Sequence, residues 1–275
     1  MSAYYSFITG LPDLEFDPDS DSKLPALYPG ILEELLPAEE LEWVRLLWLR
    51  QFHPGIISLL GGEDQPESLT PQLPAEAFHS ANDAFQQLPA YLQQLVVWKE
   101  NDRGNLPRTR IAHRLQCLYF RQLMNAGNRF LREWGDWEMN LLNFLAARRS
   151  ELLSEEKQQQ LIPGNSYHDL LLEFTTAQKI VHTEFPAVAK LDPLFTNPDF
   201  LERELETDRL RWNAIDEINR FEYFSVDVIL GYFQKLLLLE RWKKIYHSQA
   251  AVNLLKIAEE YLESGLNNHR NSSNN

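Results

Sequence analysis

Apolar positions recur at helical spacing over most of this chain. Ile31, Leu32, Leu35 and Leu36 share one face, and Leu41, Val44, Leu47 and Trp48 continue the pattern. Pro37 suits a first helical turn, and Glu39, Glu40 and Glu42 complement the positive end of the helix dipole. His53-Pro54-Gly55 reads as a break, and Gly61-Gly62 through Pro74 as a loop. Helices are predicted over 75–87 and 90–99, divided at Pro89, with a polar break from Asn101 to Pro107. The run 108–160 holds no proline and is the longest helical candidate, with Gly127 and Gly135 as bend points. Pro163-Gly164-Asn165 is a turn. Further helices are predicted over 166–190, over 198–219 with Asn197 as cap, over 226–243 with Ser225 as cap, and on to Leu262. Leu236 to Leu239 are apolar on all sides of their helix, which predicts a central, buried element.

The predicted fold class is therefore all-α, a multi-helix bundle or funnel-like array. The one exception is residues 4–10, aromatic and apolar, which read as a short strand or extended segment. Residues 1–264 read as a single helical domain, with subdivision points near 101–107 and 160–166, and residues 265–275 as a flexible tail. No internal repeat is evident.

If 108–160 is one helix, Arg110, Arg114, Arg121 and Arg132 fall within about 40° of one another at about 100° per residue. Such a stripe is either a solvated face or a site for an acidic partner, because Arg pairs bidentately with carboxylates.

Charge sharpens this picture. The 275 residues carry a net charge of −14, which disfavours nucleic acid as a partner. Residues 1–42 hold ten acids against Lys23, whereas 101–150 hold nine arginines against four acids. An acidic head and a basic middle could attract each other or different partners. Cys117 stands alone, so no internal disulfide can form and a reducing compartment is expected. The N-terminus lacks signal-peptide character, and no stretch reaches the roughly 20 apolar residues of a membrane span, so a cytoplasmic protein without membrane insertion is expected.

Motifs that carry chemistry are few along the chain. Asp17, Asp19 and Asp21 begin like a calcium loop, but Ser22 and Tyr28 stand where glycine and glutamate are needed. Glu76 and His79 form a single Glu-x-x-His, and a di-iron bundle needs two. No phosphate loop, dinucleotide fingerprint or nucleophile elbow is present. Cys117 lies in an apolar helical run and reads as a small hydrophobe. No catalytic residue, metal or cofactor is expected. An enzyme would need a deep pocket with converging titratable groups.

Three stretches carry a family resemblance. They are Tyr4 to Leu14; Asn128 to Arg149, with Asn128, Trp134 and Asn140; and Glu204 to Trp242, with Asp208, Arg211, Trp212, Tyr232, Lys235, Arg241 and Trp242. They resemble an uncharacterised bacterial family encoded beside V-type, archaeal-like ATP synthase subunits. The resemblance brings no assigned functional residue. It implies a part similar in length, helicity and acidity to the ATP synthase C subunit, a helical funnel between the central shaft and the membrane rotor ring. The expected partners are those two assemblies, at the inner membrane. The alternative is an assembly or regulatory protein for the same complex.

Overall fold

The computed structural model describes residues 4–17, 23–28, 30–62, 73–102, 106–153, 160–164, 167–172, 185–191 and 199–247. Among them the helices are α1 (Tyr5–Thr9), α2 (Ile31–Leu35), α3 (Ala38–Leu49), α4 (His53–Leu60), α5 (Ala90–Asn101), α6 (Arg108–Met124), α7 (Arg129–Leu153), α8 (His168–Leu172), α9 (Pro186–Leu191), α10 (Phe200–Ile218) and α11 (Val226–His247). Short 3-10 turns span Arg50–Phe52, Ala75–Phe78 and Asp83–Gln87. No strand occurs among the described residues, so the chain is all-α.

The first segment corrects the expectation of an extended start. Tyr5–Thr9 is a helical turn, in which Thr9 Oγ1 donates to the Tyr5 carbonyl at 2.9 Å. Phe7 and Ile8 pack on the main core from this turn. A run this short has no period that separates strand from helix.

His53-Pro54-Gly55 opens a helix instead of ending one. After the Arg50–Phe52 turn, α4 begins at His53, with Pro54 in its first turn, where a missing N–H costs nothing. The predicted helix 75–87 is two 3-10 turns, the second capped by Asn82 Oδ1, which accepts from the Ala84 N–H at 2.8 Å.

The long run 108–160 is two helices. α6 stops at Met124, and Asn128 caps α7 by accepting the Leu131 N–H at 2.9 Å. Gly127 lies in this break. Gly135 lies inside α7, and a Cβ there would stand 3.2 Å from Leu123 Cβ, so its use is close packing on α6 and not a bend. At the start of α10 the cap is Asp199, which accepts the Glu202 N–H at 3.0 Å; the predicted cap Asn197 lies outside the described residues. The acidic run 18–22, the helix to Leu262 and the tail 265–275 also lie outside them.

Two clusters of buried side chains form the interior. The larger joins α3 through α7 with α10 and α11 and contains Trp48, Tyr91, Tyr119, Phe130, Trp134 and Ile229. The smaller gathers Leu141, Phe144, Leu161, Leu171, Phe185 and Leu210, and Trp137 packs against both. Asn143 ties α7 to the segment after it, donating to the Ile162 carbonyl at 2.8 Å and accepting its N–H at 2.7 Å. Leu236, Leu238 and Leu239 are buried, as their all-round apolar pattern predicts. No described helix is long and apolar enough to cross a membrane.

Candidate functional site

The third sequence stretch converges on one internal tie. Asp208 on α10 is fully buried, and its carboxylate has three donors. Arg211 Nη1 reaches Oδ1 at 2.7 Å, Trp242 Nε1 reaches Oδ2 at 2.7 Å, and Arg241 Nη1 also binds Oδ2. Arg211 then turns to α7, where its Nε and Nη2 hold Glu138 as a fork, at 2.9 and 3.0 Å. Arg50, at the end of α3, reaches the same carboxylate at 2.6 Å. Two buried acids thus join α3, α7, α10 and α11.

Burial would push the Glu138 carboxyl up, but Arg211 and Arg50 overcome that and hold it below the usual carboxylate range. Charge-assisted bonds that cross from one helix to another, as those of Glu138 and of Arg241 with Asp208 do, oppose sliding of the helices past each other. Asp208, Arg211, Arg241 and Trp242 belong to the sequence signature, whereas Glu138 and Arg50 do not. Glu138 nevertheless had a signal, since an acid four residues after Trp134 and three before Leu141 falls on the apolar face of α7.

The remaining signature residues brace the same body. Trp212 packs its ring under Lys235, whose Nζ lies 4.4 Å from the ring centroid and 2.5 Å from Asp216 Oδ1. Tyr232 donates to the Pro12 carbonyl at 2.9 Å and fastens the N-terminal segment to α11. Trp134 is buried and stacked on Trp137, with centroids 5.7 Å apart. Asn140 is buried and donates to Asp136 Oδ2 at 3.1 Å.

Asn128 has a second task beside its cap. It donates to Asp227 Oδ1 at 2.5 Å, and Arg129 Nε reaches Asp227 Oδ2 at 3.1 Å. Arg129 also holds the Ile218 carbonyl at 3.1 Å and Glu222 at 3.4 Å. Asn219 Nδ2 donates to the Asp227 carbonyl at 2.8 Å. These bonds pin the loop between α10 and α11, which displays Phe221 at 81% and Tyr223 at 67% exposure. Phe224 is also exposed and meets Tyr5 of α1 at 4.7 Å between centroids. Nothing in the spacing of this Phe-Glu-Tyr-Phe run marks it out in the sequence.

The four arginines of the expected stripe do not form one row, because the break at 125–128 puts Arg132 on another helix. Arg110 and Arg121 are exposed on α6, but Arg114 is half-buried with its guanidinium 5.8 Å from the Trp98 ring. Arg132 donates to the Ala126 carbonyl at 3.1 Å and lines a cleft of about 470 Å³ with Glu133, Asp136, Trp137, Asn140, Tyr167 and Phe185.

A second pocket, of about 230 Å³, lies between α4 and α6 and includes Arg50, His53 and Tyr119. His53 Nε2 lies 3.2 Å from the Tyr91 hydroxyl, and burial, reinforced by Arg50, lowers its pKa to about 3. Burial raises that of Tyr119 to about 12. Both groups are therefore displaced away from neutrality, which suits them poorly to proton transfer there. Burial also pushes the Cys117 thiol up, against thiolate chemistry. Glu76 lies in a 3-10 turn that ends at His79, and no group of three His, Cys, Asp or Glu able to hold a metal occurs among the described residues.

No curated protein and no solved structure matches the chain. Residues 1–257 match a family described as a protein of unknown function, DUF2764, and the chain belongs to that family.

Proposed function

We propose that this chain is a non-catalytic structural subunit of a V/A-type rotary ATPase, similar to the C subunit and linking the central shaft to the membrane rotor ring. The observation that carries the mechanical part is the Phe221–Phe224 loop, whose exposed aromatics stand on a backbone fixed by Asn128, Arg129, Asn219 and Asp227. Aromatics presented on a fixed backbone suit protein interfaces as anchors, since less backbone entropy is lost on docking. The Glu138–Arg211–Asp208 tie supports the same reading, because a part that passes force between partners must not let its helices slide. The choice of partner rests on the resemblance of the three sequence stretches.

The test is native purification of the intact ATPase from the source cells, followed by identification of its components. The chain is expected at fixed stoichiometry with the shaft and the rotor ring. A complete separate C subunit in an enzyme lacking this chain would remove the proposal. Recovery only from assembling complexes would establish the assembly-factor alternative.

A further inference from the structure

Residues 4–17 are held less deeply than the helices they lie on. None of them is buried, whereas every other α-helix among the described residues contributes at least one buried side chain. Their backbone groups bond to other backbone groups only locally. Ile8 N–H donates to the Tyr4 carbonyl at 2.9 Å, Gly10 to Phe7 at 3.1 Å, Leu11 to Ile8 at 3.2 Å and Asp17 to Glu15 at 2.9 Å. Among the described residues, no backbone–backbone hydrogen bond leads from this segment to the rest of the chain.

A row of partly buried side chains holds the segment in place. Tyr5 meets Phe224 of the aromatic loop at 4.7 Å between centroids, and Phe16 meets Trp212 of α10 at 5.3 Å. Between these two contacts, Tyr232 of α11 donates to the Pro12 carbonyl at 2.9 Å. Phe7, Ile8, Leu11, Leu14 and Phe16 pack on the main core without being shut off from water. Asp13, Glu15 and Asp17 are exposed, and no ion pair among the described residues engages them. Shallow burial and self-contained hydrogen bonding mark a unit that opens without unfolding what lies beneath it.

We propose that residues 4–17 are a latch, which opens as one unit from an otherwise folded chain and, when closed, covers part of the aromatic docking surface. Opening takes Tyr5 off Phe224, beside the exposed Phe221 and Tyr223, and takes Phe16 off the Trp212 ring on α10. A partner that covers the whole Phe224 ring competes with Tyr5 for it, so its binding favours the open latch. The use of that surface by a partner rests on the ATPase reading, whereas the latch is a property of the chain alone.

Native-state hydrogen exchange of the full chain, read by NMR over a series of low urea concentrations, tests the latch. The Ile8 and Leu11 amides are protected by the α1 turn. They are expected to exchange at least about a hundredfold faster than those of Leu236 and Leu239, and with a much smaller urea slope. Phe16→Ala, distant from Ile8 in sequence, should quicken Ile8 and Leu11 alike by about tenfold, because one unit opens together. Exchange of Ile8 and Leu11 with the rate and slope of Leu236 and Leu239 overturns the proposal, since the segment then belongs to the core. So does an Ile8 rate that Phe16→Ala leaves unchanged, since α1 then frays by itself. The double variant Leu14→Asp, Phe16→Asp holds the latch open. It should bind the dye 1-anilinonaphthalene-8-sulfonate at least about twofold more than the native chain does. No gain in dye, or loss of the cooperative melt, also contradicts the latch. Every readout uses the isolated chain. Latch opening without co-purification removes only the ATPase reading, and co-purification of a chain whose segment does not open removes only the latch.

Discussion

Trp242 gives its side chain's only hydrogen-bond donor to Asp208, 2.7 Å away, although the two residues are 34 positions apart and both are shut off from water. The indole therefore does more than fill space, because it completes the shell of a buried charge that Arg211 and Arg241 share. Trp242→Phe keeps most of the ring but removes that donor, and we expect a loss of about 1–3 kcal/mol in urea unfolding. Asp208→Ala leaves Arg211 buried with half its partners and should cost more, about 3–5 kcal/mol. Equal, small effects for both would mean that the tie contributes nothing.

His53 makes stability depend on pH. Its folded pKa, about 3, lies below the ordinary value of 6.5 because burial and Arg50 oppose the charged ring. Between those values the unfolded chain takes up a proton that the folded chain refuses, so stability falls as pH drops below 6.5. The slope should approach about 1.4 kcal/mol per pH unit once the unfolded histidine is protonated. Glu138, held below its ordinary value of 4.5, adds a second loss at more acid pH. Denaturant midpoints from pH 7 to pH 5 should fall for the native chain and flatten in His53→Gln.

Gly231 lies where α11 packs tightly on α10 and α7. A Cβ there would lie 2.2 Å from Asn219 Nδ2, 3.2 Å from Ile215 Cγ2 and 3.3 Å from Phe130 Cε2. Asn219 cannot swing aside freely, because it holds the Asp227 carbonyl. Gly231→Ala is expected to destabilise by about 1–3 kcal/mol, whereas Gly127→Ala, whose nearest neighbour would be 3.8 Å away, should be nearly neutral. Thermal melts of the two variants check this.

Phe221→Ala and Tyr223→Ala remove side chains that are mostly in solvent. Each should change stability by less than about 0.5 kcal/mol. The pair should nonetheless lower recovery of partner proteins in native pull-downs. A stability loss equal to that of a buried aromatic would instead assign the loop to the core.

The helical class was legible because Leu and aromatic spacing repeats over whole turns, and the burial of Leu236, Leu238 and Leu239 follows from it directly. Boundaries were harder where one polar side chain decides. Asn128 ends the apparent 108–160 helix by capping Leu131, and proline counting misses such a cap. His53-Pro54-Gly55 holds the residues of a breaker, yet it starts α4 because Pro54 needs only a place in the first turn. The signature residues were visible and Glu138 stood out as an acid on an apolar face, but its pairing with Arg50 was not legible, since the two meet across 88 positions. The Phe221–Phe224 loop shows why an aromatic run is ambiguous in sequence. The contacts of Asn128, Arg129, Asn219 and Asp227 that hold its backbone join residues far apart in the chain.

The most direct measurement is affinity capture of the full chain, tagged at its C-terminus, from the source cells under native conditions, beside a Phe221→Ala, Tyr223→Ala double variant. The account predicts that the native chain brings down the shaft and rotor-ring proteins in constant proportion and that the variant, folded to the same melting temperature, loses them. Capture of no ATPase component by the native chain, or equal capture by the variant, would contradict it.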